Sequence, residues 1–288
     1  MKKLIVPAFL FVFASVHAQT DSAILTRDTI PFKQPEIKKE KPQEVYKLNL
    51  GADIPVTATG TLWSLYAFSK IYSKDPSDAE TILALDKSRV PGFDRWAIRP
   101  YNEKVDKISY LPFYASMPMP VFFLFDKKMR KDIAKLSFLY LEAMSVTGLL
   151  YTGSTYFTHR YRPYVWDEAT PLDYRTRGGG KNSFYAGHVA LVATSTFFFA
   201  QVWADYHPDS KAKWVWYTMA GAATGLTAYW RHRGGLHFPS DIALGVAQGT
   251  LTGLLVPRLH KARIIKNPNL SITPFTGLSH GLAVRYKL

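Results

Sequence analysis

Cysteine is missing from this chain altogether. That absence excludes a disulfide framework, a thiolate nucleophile and any cysteine-bound metal. Acidic side chains are scarce: 22 Asp and Glu stand against 36 Lys and Arg, for a formal net charge of +14. No zinc-finger spacing and no long Lys/Arg block accompanies that charge, which argues against a nucleic-acid partner. An anionic membrane face or a phosphate-bearing substrate is the partner that remains. No carboxylate cluster marks a metal site along the sequence, and no internal repeat divides it. Disorder of the whole is excluded, because 47% of the residues are hydrophobic and 15% aromatic. A length of 288 residues is enough for one domain with a sizeable core and an arm. Nothing in the sequence sets the oligomeric state.

The N-terminus reads as a secretory signal over residues 1–18. Lys2 and Lys3 precede a largely apolar stretch from Leu4 to Val16, and Val16-His17-Ala18 before Gln19 has the small residues of a cleavage site. Residues 19–48 follow as a polar arm with Pro31, Pro35 and Pro42 and the charges Lys38-Lys39-Glu40-Lys41. The main domain is expected over 49–266, with its core at 108–257. Runs without Asp, Glu, Lys or Arg cover 54–69, 108–125, 143–159, 182–204, 214–230 and 242–257. Most are too long for strands and predict an all-α bundle of five to six membrane-embedded helices. The helix before Arg160 is expected to start near Asp132, since Lys135 and Glu142 suit its polar face. The tail, 267–288, alternates weakly (Leu270, Ile272; Leu282, Val284, Tyr286) and reads as a short C-terminal β-hairpin.

Charge also predicts orientation. Lys127, Lys128, Arg130, Lys131 and Lys135, then Lys211 and Lys213, then Arg258, Lys261, Arg263 and Lys266 fall on one side of an up-down bundle, as cytoplasmic loops should. A cleaved signal starts the mature chain outside. Both statements hold together if 54–69, which carries Asp53 at its start, is interfacial. Five full crossings are then expected, with the opposite end facing the periplasm.

That opposite end carries the chemistry. Arg231, His237 and Asp241 have the spacing R-x-x-x-x-x-H-x-x-x-D between two apolar runs. A helix starting at Pro239 lets the Asp241 carboxylate accept from His237 Nδ1, leaving Nε2 free as a nucleophile. Arg231 can bind phosphate oxygens through paired hydrogen bonds. Gly187-His188 opens another apolar helix. Backbone N–H groups at such a start favour an anion, and His188 can donate a proton to a leaving alkoxide. Arg162-Pro163 ends a third helix, so Arg162 projects at its mouth.

Taken together these motifs resemble the type 2 phosphatidic acid phosphatase and vanadium haloperoxidase superfamily. Its pattern is K-x-x-x-x-x-x-R-P, then P-S-G-H, then S-R-x-x-x-x-x-H-x-x-x-D. The match is Arg162-Pro163, Gly187-His188, and Arg231, His237 and Asp241, over roughly residues 108–257. The resemblance implies a helical bundle with the site at one end. It implies a metal-independent phosphatase without a cofactor, with His237 as the nucleophile that forms a phosphohistidine. Asp241 would orient His237, and His188 would be general acid and then base. Arg162, Arg231 and the Gly187 amide would hold the phosphoryl oxygens. Three positions depart from the pattern: Thr155 replaces the lysine, Tyr185-Ala186 replaces proline and serine, and Trp230 replaces the last serine. Thr155 keeps a hydrogen-bond donor without charge. Lys181 is expected to supply the missing cation, with Arg160, Arg175 and Arg177 as alternatives. Tyr161, Tyr164, Trp166, Tyr229 and Trp230 either sit at the headgroup level or pack the core. The expected substrate is a phosphomonoester or pyrophosphate, in a lipid, at the periplasmic face. A soluble exported acid phosphatase, a vanadate-dependent haloperoxidase and a non-catalytic anion-binding homologue are the other readings.

Overall fold

The computed structural model describes residues 44–262 and two strands, β1 (Leu270–Phe275) and β2 (Gly281–Tyr286). The expected signal peptide and most of the expected arm lie outside the described residues. Six long helices form the frame: α1 (Leu50–Tyr72), α2 (Glu103–Ser116), α3 (Ile133–Phe157), α4 (Gly187–Tyr206), α5 (Lys213–Arg233) and α6 (Pro239–Leu259). They contain five of the six charge-free runs almost entire, and α3 begins directly after Asp132. The two strands pair antiparallel, Leu270 opposite Tyr286 and Phe275 opposite Gly281, so the predicted hairpin is present.

Local chemistry sets the helix boundaries. Asn102 caps α2, its side-chain oxygen accepting from the Val105 N–H at 3.1 Å. Pro239 occupies the first turn of α6, where its missing N–H costs nothing. The run at 108–125, expected as one helix, is instead broken. It bends by 42° between α2 and a short helical stretch at Met119–Phe125. Pro118 and Pro120 stand at the break, each lacking the N–H that would continue the ladder.

Close approach of α4 and α6 organises the core. Gly245, Gly249 and Gly253 recur every four residues along α6 and face the backbone oxygens of Ala186, Ala190 and Thr194. A Cβ built at these glycines would lie 2.7, 2.2 and 2.6 Å from those oxygens, so only glycine allows this spacing. Hydroxyls join the helices elsewhere: Thr147 Oγ1 lies 2.7 Å from Thr194 Oγ1, and Tyr140 Oη lies 2.9 Å from Ser195 Oγ. Away from the site end the core is apolar and aromatic, with Phe123, Leu136, Leu139, Phe198 and Val202 fully buried.

Outward faces are apolar as well. Leu62 and Leu65 on α1, Leu141 and Leu150 on α3, Trp214, Val215 and Met219 on α5, and Leu251 and Leu255 on α6 are all exposed. A belt of this kind suits lipid. Among the described residues three helices are long and apolar enough to cross a membrane (α3 with its preceding turn, α4 and α6), or four if the bent pair at 103–125 counts as one span, where five crossings were expected. α5 does not reach the apolarity of a span, because it is built of Trp, Tyr, Thr, Gly and Ala with Leu226 as its one leucine.

α1 is not among the candidate spans, as expected of 54–69. It packs along α3 over 23 residues, about 34 Å at 1.5 Å per residue. It starts beside the C-terminal end of α6 and finishes at Tyr72, in the site cavity. The last residues assigned to the arm are bound to the bundle: Tyr46 is fully buried, and the Ala262 N–H donates to the Val45 carbonyl at 3.0 Å.

Candidate active site

Three chain segments, each carrying one motif, meet at one end of the bundle and are joined by backbone hydrogen bonds. Arg162 N–H donates to the Gly180 carbonyl at 2.8 Å and Ser183 N–H to the Arg160 carbonyl at 3.0 Å. Tyr164 N–H donates to Gly235 at 3.1 Å, and Ala186 N–H to the Asp241 carbonyl at 3.1 Å. Gly235 has φ +73°, and a Cβ there would lie 2.8 Å from the Pro100 oxygen. The turn carrying His237 therefore needs glycine at that position.

A cavity of about 260 Å³ opens among these segments. Arg162, His188, Arg231 and Leu236 line it, with Asn182, Asp106 and Arg177. Tyr72, Tyr101, Tyr110, Tyr151, Tyr164 and Tyr174 contribute to the wall. Arg231 is 2% exposed. Its Nη1 donates to Asp106 Oδ1 at 2.7 Å and Ser109 Oγ at 3.0 Å, while its buried Nε has no partner. Arg162 donates through Nε to the Gly179 carbonyl at 3.1 Å and through Nη1 to the Leu236 carbonyl at 3.3 Å. His188 is held by rings, with Tyr110 at 4.7 Å edge-on and Phe113 at 5.0 Å.

His237 adjoins Leu236 and is 1% exposed. Its Nδ1 lies 2.7 Å from the Ser183 carbonyl oxygen, which can only accept, so Nδ1 carries the proton and Nε2 the lone pair. Burial, with Arg162 and Arg231 close by, holds this imidazole well below the usual histidine range. A neutral ring with a free Nε2 is the form in which histidine acts as a nucleophile.

Several expected contacts are replaced. Asp241 does not bond His237. Its Oδ2 accepts from Ser183 Oγ at 2.6 Å and from the Phe238 N–H at 3.1 Å, and its Oδ1 pairs with Arg160. It reaches the imidazole only through Ser183, because its place in the first turn of α6 commits it to capping. Lys181 is absent from the cavity wall and donates to the Asp75 carbonyl at 3.0 Å. Thr155 is buried beneath the site, its hydroxyl 3.0 Å from both the Tyr151 and Phe184 carbonyls. Neither can serve a phosphate in this arrangement.

Of the alternatives, Arg160 is spent on Asp241, Ser240 and Asp94, and Arg175 on the Val165 and Ile82 carbonyls. Arg177 does line the cavity, stacked 3.5 Å over Tyr174. Gly187 starts α4 with no side-chain cap before it, so its N–H groups are available to an anion. A Cβ at Gly187 would lie 2.4 Å from the Tyr151 ring, which explains glycine there by packing as well.

Asp94, Asp106, Ser183 and the lining tyrosines other than Tyr164 were not legible as site residues. Asp94 and Asp106 precede the motifs by many residues, and the role of Ser183 depends on its backbone oxygen. The only available signal was indirect: an arginine buried in an apolar helix needs a carboxylate.

The family model for the PAP2 superfamily matches residues 136–265. Among solved structures, the chain is similar to the first transmembrane PAP2 type phosphatidylglycerolphosphate phosphatase from Bacillus subtilis. The identity is 19%, over 69% of this chain and 93% of that one, with a TM-score of 0.40. No curated protein matches significantly. The matched span holds Arg162, His188, Arg231 and His237 together, and over residues 136–265 the chain is similar to the PAP2 superfamily.

Proposed function

We propose that the protein is a phosphatase that hydrolyses phosphomonoester or pyrophosphate groups of lipids through a phosphohistidine. The observation that carries this reading is the cavity itself. Two arginines and a histidine from three separate motifs line it, one arginine has an unpartnered buried Nε–H, and a neutral imidazole lies beside it. An anion with several oxygens would satisfy those donors. The similarity of residues 136–265 to the PAP2 superfamily supports the same chemistry.

In the first step His237 Nε2 attacks phosphorus. The bond to the leaving oxygen breaks as His188 gives that oxygen a proton. In the second, His188 takes a proton from water, the water oxygen attacks phosphorus, and the P–N bond breaks to release phosphate. Arg162, Arg231 and the amides at the start of α4 hold the non-bridging oxygens and stabilise charge in both transition states. Ser183 fixes the His237 tautomer, and Asp241 fixes Ser183. No metal enters either step. The exposed apolar belt favours a lipid substrate whose headgroup enters while its chains stay in the bilayer. We place the cavity on the periplasmic side, with the basic ends of α3, α5 and α6 in the cytoplasm.

Phosphate release from lipid phosphates in detergent, measured beside His237→Ala, tests the reading. Release by the wild type, abolished in the variant, with an acid-labile and alkali-stable phosphoprotein trapped during turnover, is expected. Release that survives His237→Ala would overturn the mechanism. A second reading, an anion-binding homologue without turnover, is favoured by Asp106, which occupies Arg231 inside the cavity, and by uncharged Thr155. Vanadate binding with no release from any substrate would establish it.

A further inference from the structure

Far from the cavity, at the opposite end of the bundle, three ligand-type side chains converge from three helices. Asp53 stands in the first turn of α1, Glu142 on α3, and His260 directly after α6. Their sequence positions are too far apart for any spacing to mark them. His260 Nε2 lies 3.2 Å from Asp53 Oδ1 and 3.6 Å from Glu142 Oε2, and all three atoms lie within 4.8 Å of one another. Glu142 is 7% exposed, and its Oε2, aimed into this cluster, is buried with no hydrogen-bond partner.

We propose that Asp53, Glu142 and His260 bind a divalent transition-metal ion, with zinc the best fit. Three features support it. The first is spacing: ligands about 2.05 Å from zinc in a tetrahedron lie about 3.3 Å apart. The second is the outer shell. His260 Nδ1 donates to the Val256 carbonyl at 2.8 Å, which points Nε2 inward, and Asp53 Oδ2 accepts from the Asn49 N–H at 2.6 Å, which leaves Oδ1 for the ion. The third is charge. Two carboxylates face a single imidazole in a buried place, and the neighbouring cations are engaged elsewhere, Arg258 on Gln201 and Lys261 on Asp205. An enclosed carboxylate without a full counter-charge is costly, and a divalent cation removes that cost. One nitrogen and two carboxylate oxygens suit zinc, with a fourth position for water. Bound there, the ion would tie α1, α3 and α6 together at the end remote from the chemistry.

The test uses the full chain in detergent, purified through a tag without histidine, stripped with chelator, exposed to zinc chloride and dialysed. About one zinc per chain by elemental mass spectrometry is expected, falling to background in Glu142→Gln and in His260→Gln but retained in His232→Gln. Cobalt(II) added to the stripped wild type should give visible d–d absorption that Glu142→Gln lacks. Glu142→Gln is nearly isosteric and keeps the test valid if His260→Gln fails to fold. No zinc above the buffer blank in the wild type, or equal zinc in the wild type and Glu142→Gln, would overturn the proposal.

Discussion

At the residue scale the site depends on one indirect link. Asp241 reaches His237 through the hydroxyl and carbonyl of Ser183, so in the proposed mechanism Ser183 is a positioning residue. Ser183→Ala keeps the carbonyl and removes the link to the carboxylate. It should lower kcat about tenfold with little change in KM. An equal fall in binding would count against positioning. His237 also predicts a pH effect. The folded ring stays neutral, whereas the unfolded chain takes up a proton below about pH 6.5, so stability present above that pH is lost as pH falls. Between about pH 7.5 and 5, the wild type should lose more of its Tm than His237→Gln does. Parallel curves would refute this. That Arg162, His188, Arg231 and His237 gather at one end of the bundle was legible from the spacing of the three motifs and the ends of the apolar runs. Lys181 misled because nearness in sequence does not fix direction, and the turn at Gly178–Lys181 sends it toward Asp75. The use of the Ser183 carbonyl was invisible, since every residue has one.

At the element scale, the spacing of α4 and α6 decides whether His188 and His237 share a site. Gly249 lies against the Ala190 oxygen, while nothing stands within 4 Å of a Cβ built at Gly221 or Gly225 on α5. Gly249→Val should therefore separate the helices and cost several degrees of Tm together with most of the activity. Gly221→Ala should leave both unchanged or raise Tm slightly, because alanine is the better helix former. If Gly249→Val proves harmless, the tight α4–α6 contact is not what assembles the site. Absence of charge over long stretches was enough to find the helices. The break near Pro118 was legible in principle, because two prolines two residues apart in an apolar run rarely leave a helix straight. The α6 glycines were readable only once α4 was known to be their neighbour.

At the scale of the whole molecule, the cavity and the basic residues occupy opposite ends, but the two topological signals conflict. Basic loops put the cavity outside. A leader, if cleaved, would put residue 44 outside, and residue 44 lies at the basic end, because Val45 pairs with Ala262. They are reconciled if α1, which reaches the cavity at Tyr72 but is not among the candidate spans, does not fully cross. Freedom from cysteine makes the question easy to settle. Glu168→Cys at the cavity end should react with an impermeant maleimide in spheroplasts, and Asp209→Cys at the basic end only after lysis. The reverse pattern would place the cavity in the cytoplasm. The pairing of Val45 with Ala262 has another consequence. It brings the two ends of the helical domain within one hydrogen bond of each other, so the fold is nearly a closed ring. A short bridge could join them and new ends could be opened at the turn around Asp209, giving a circularly permuted chain in which the cavity keeps its shape.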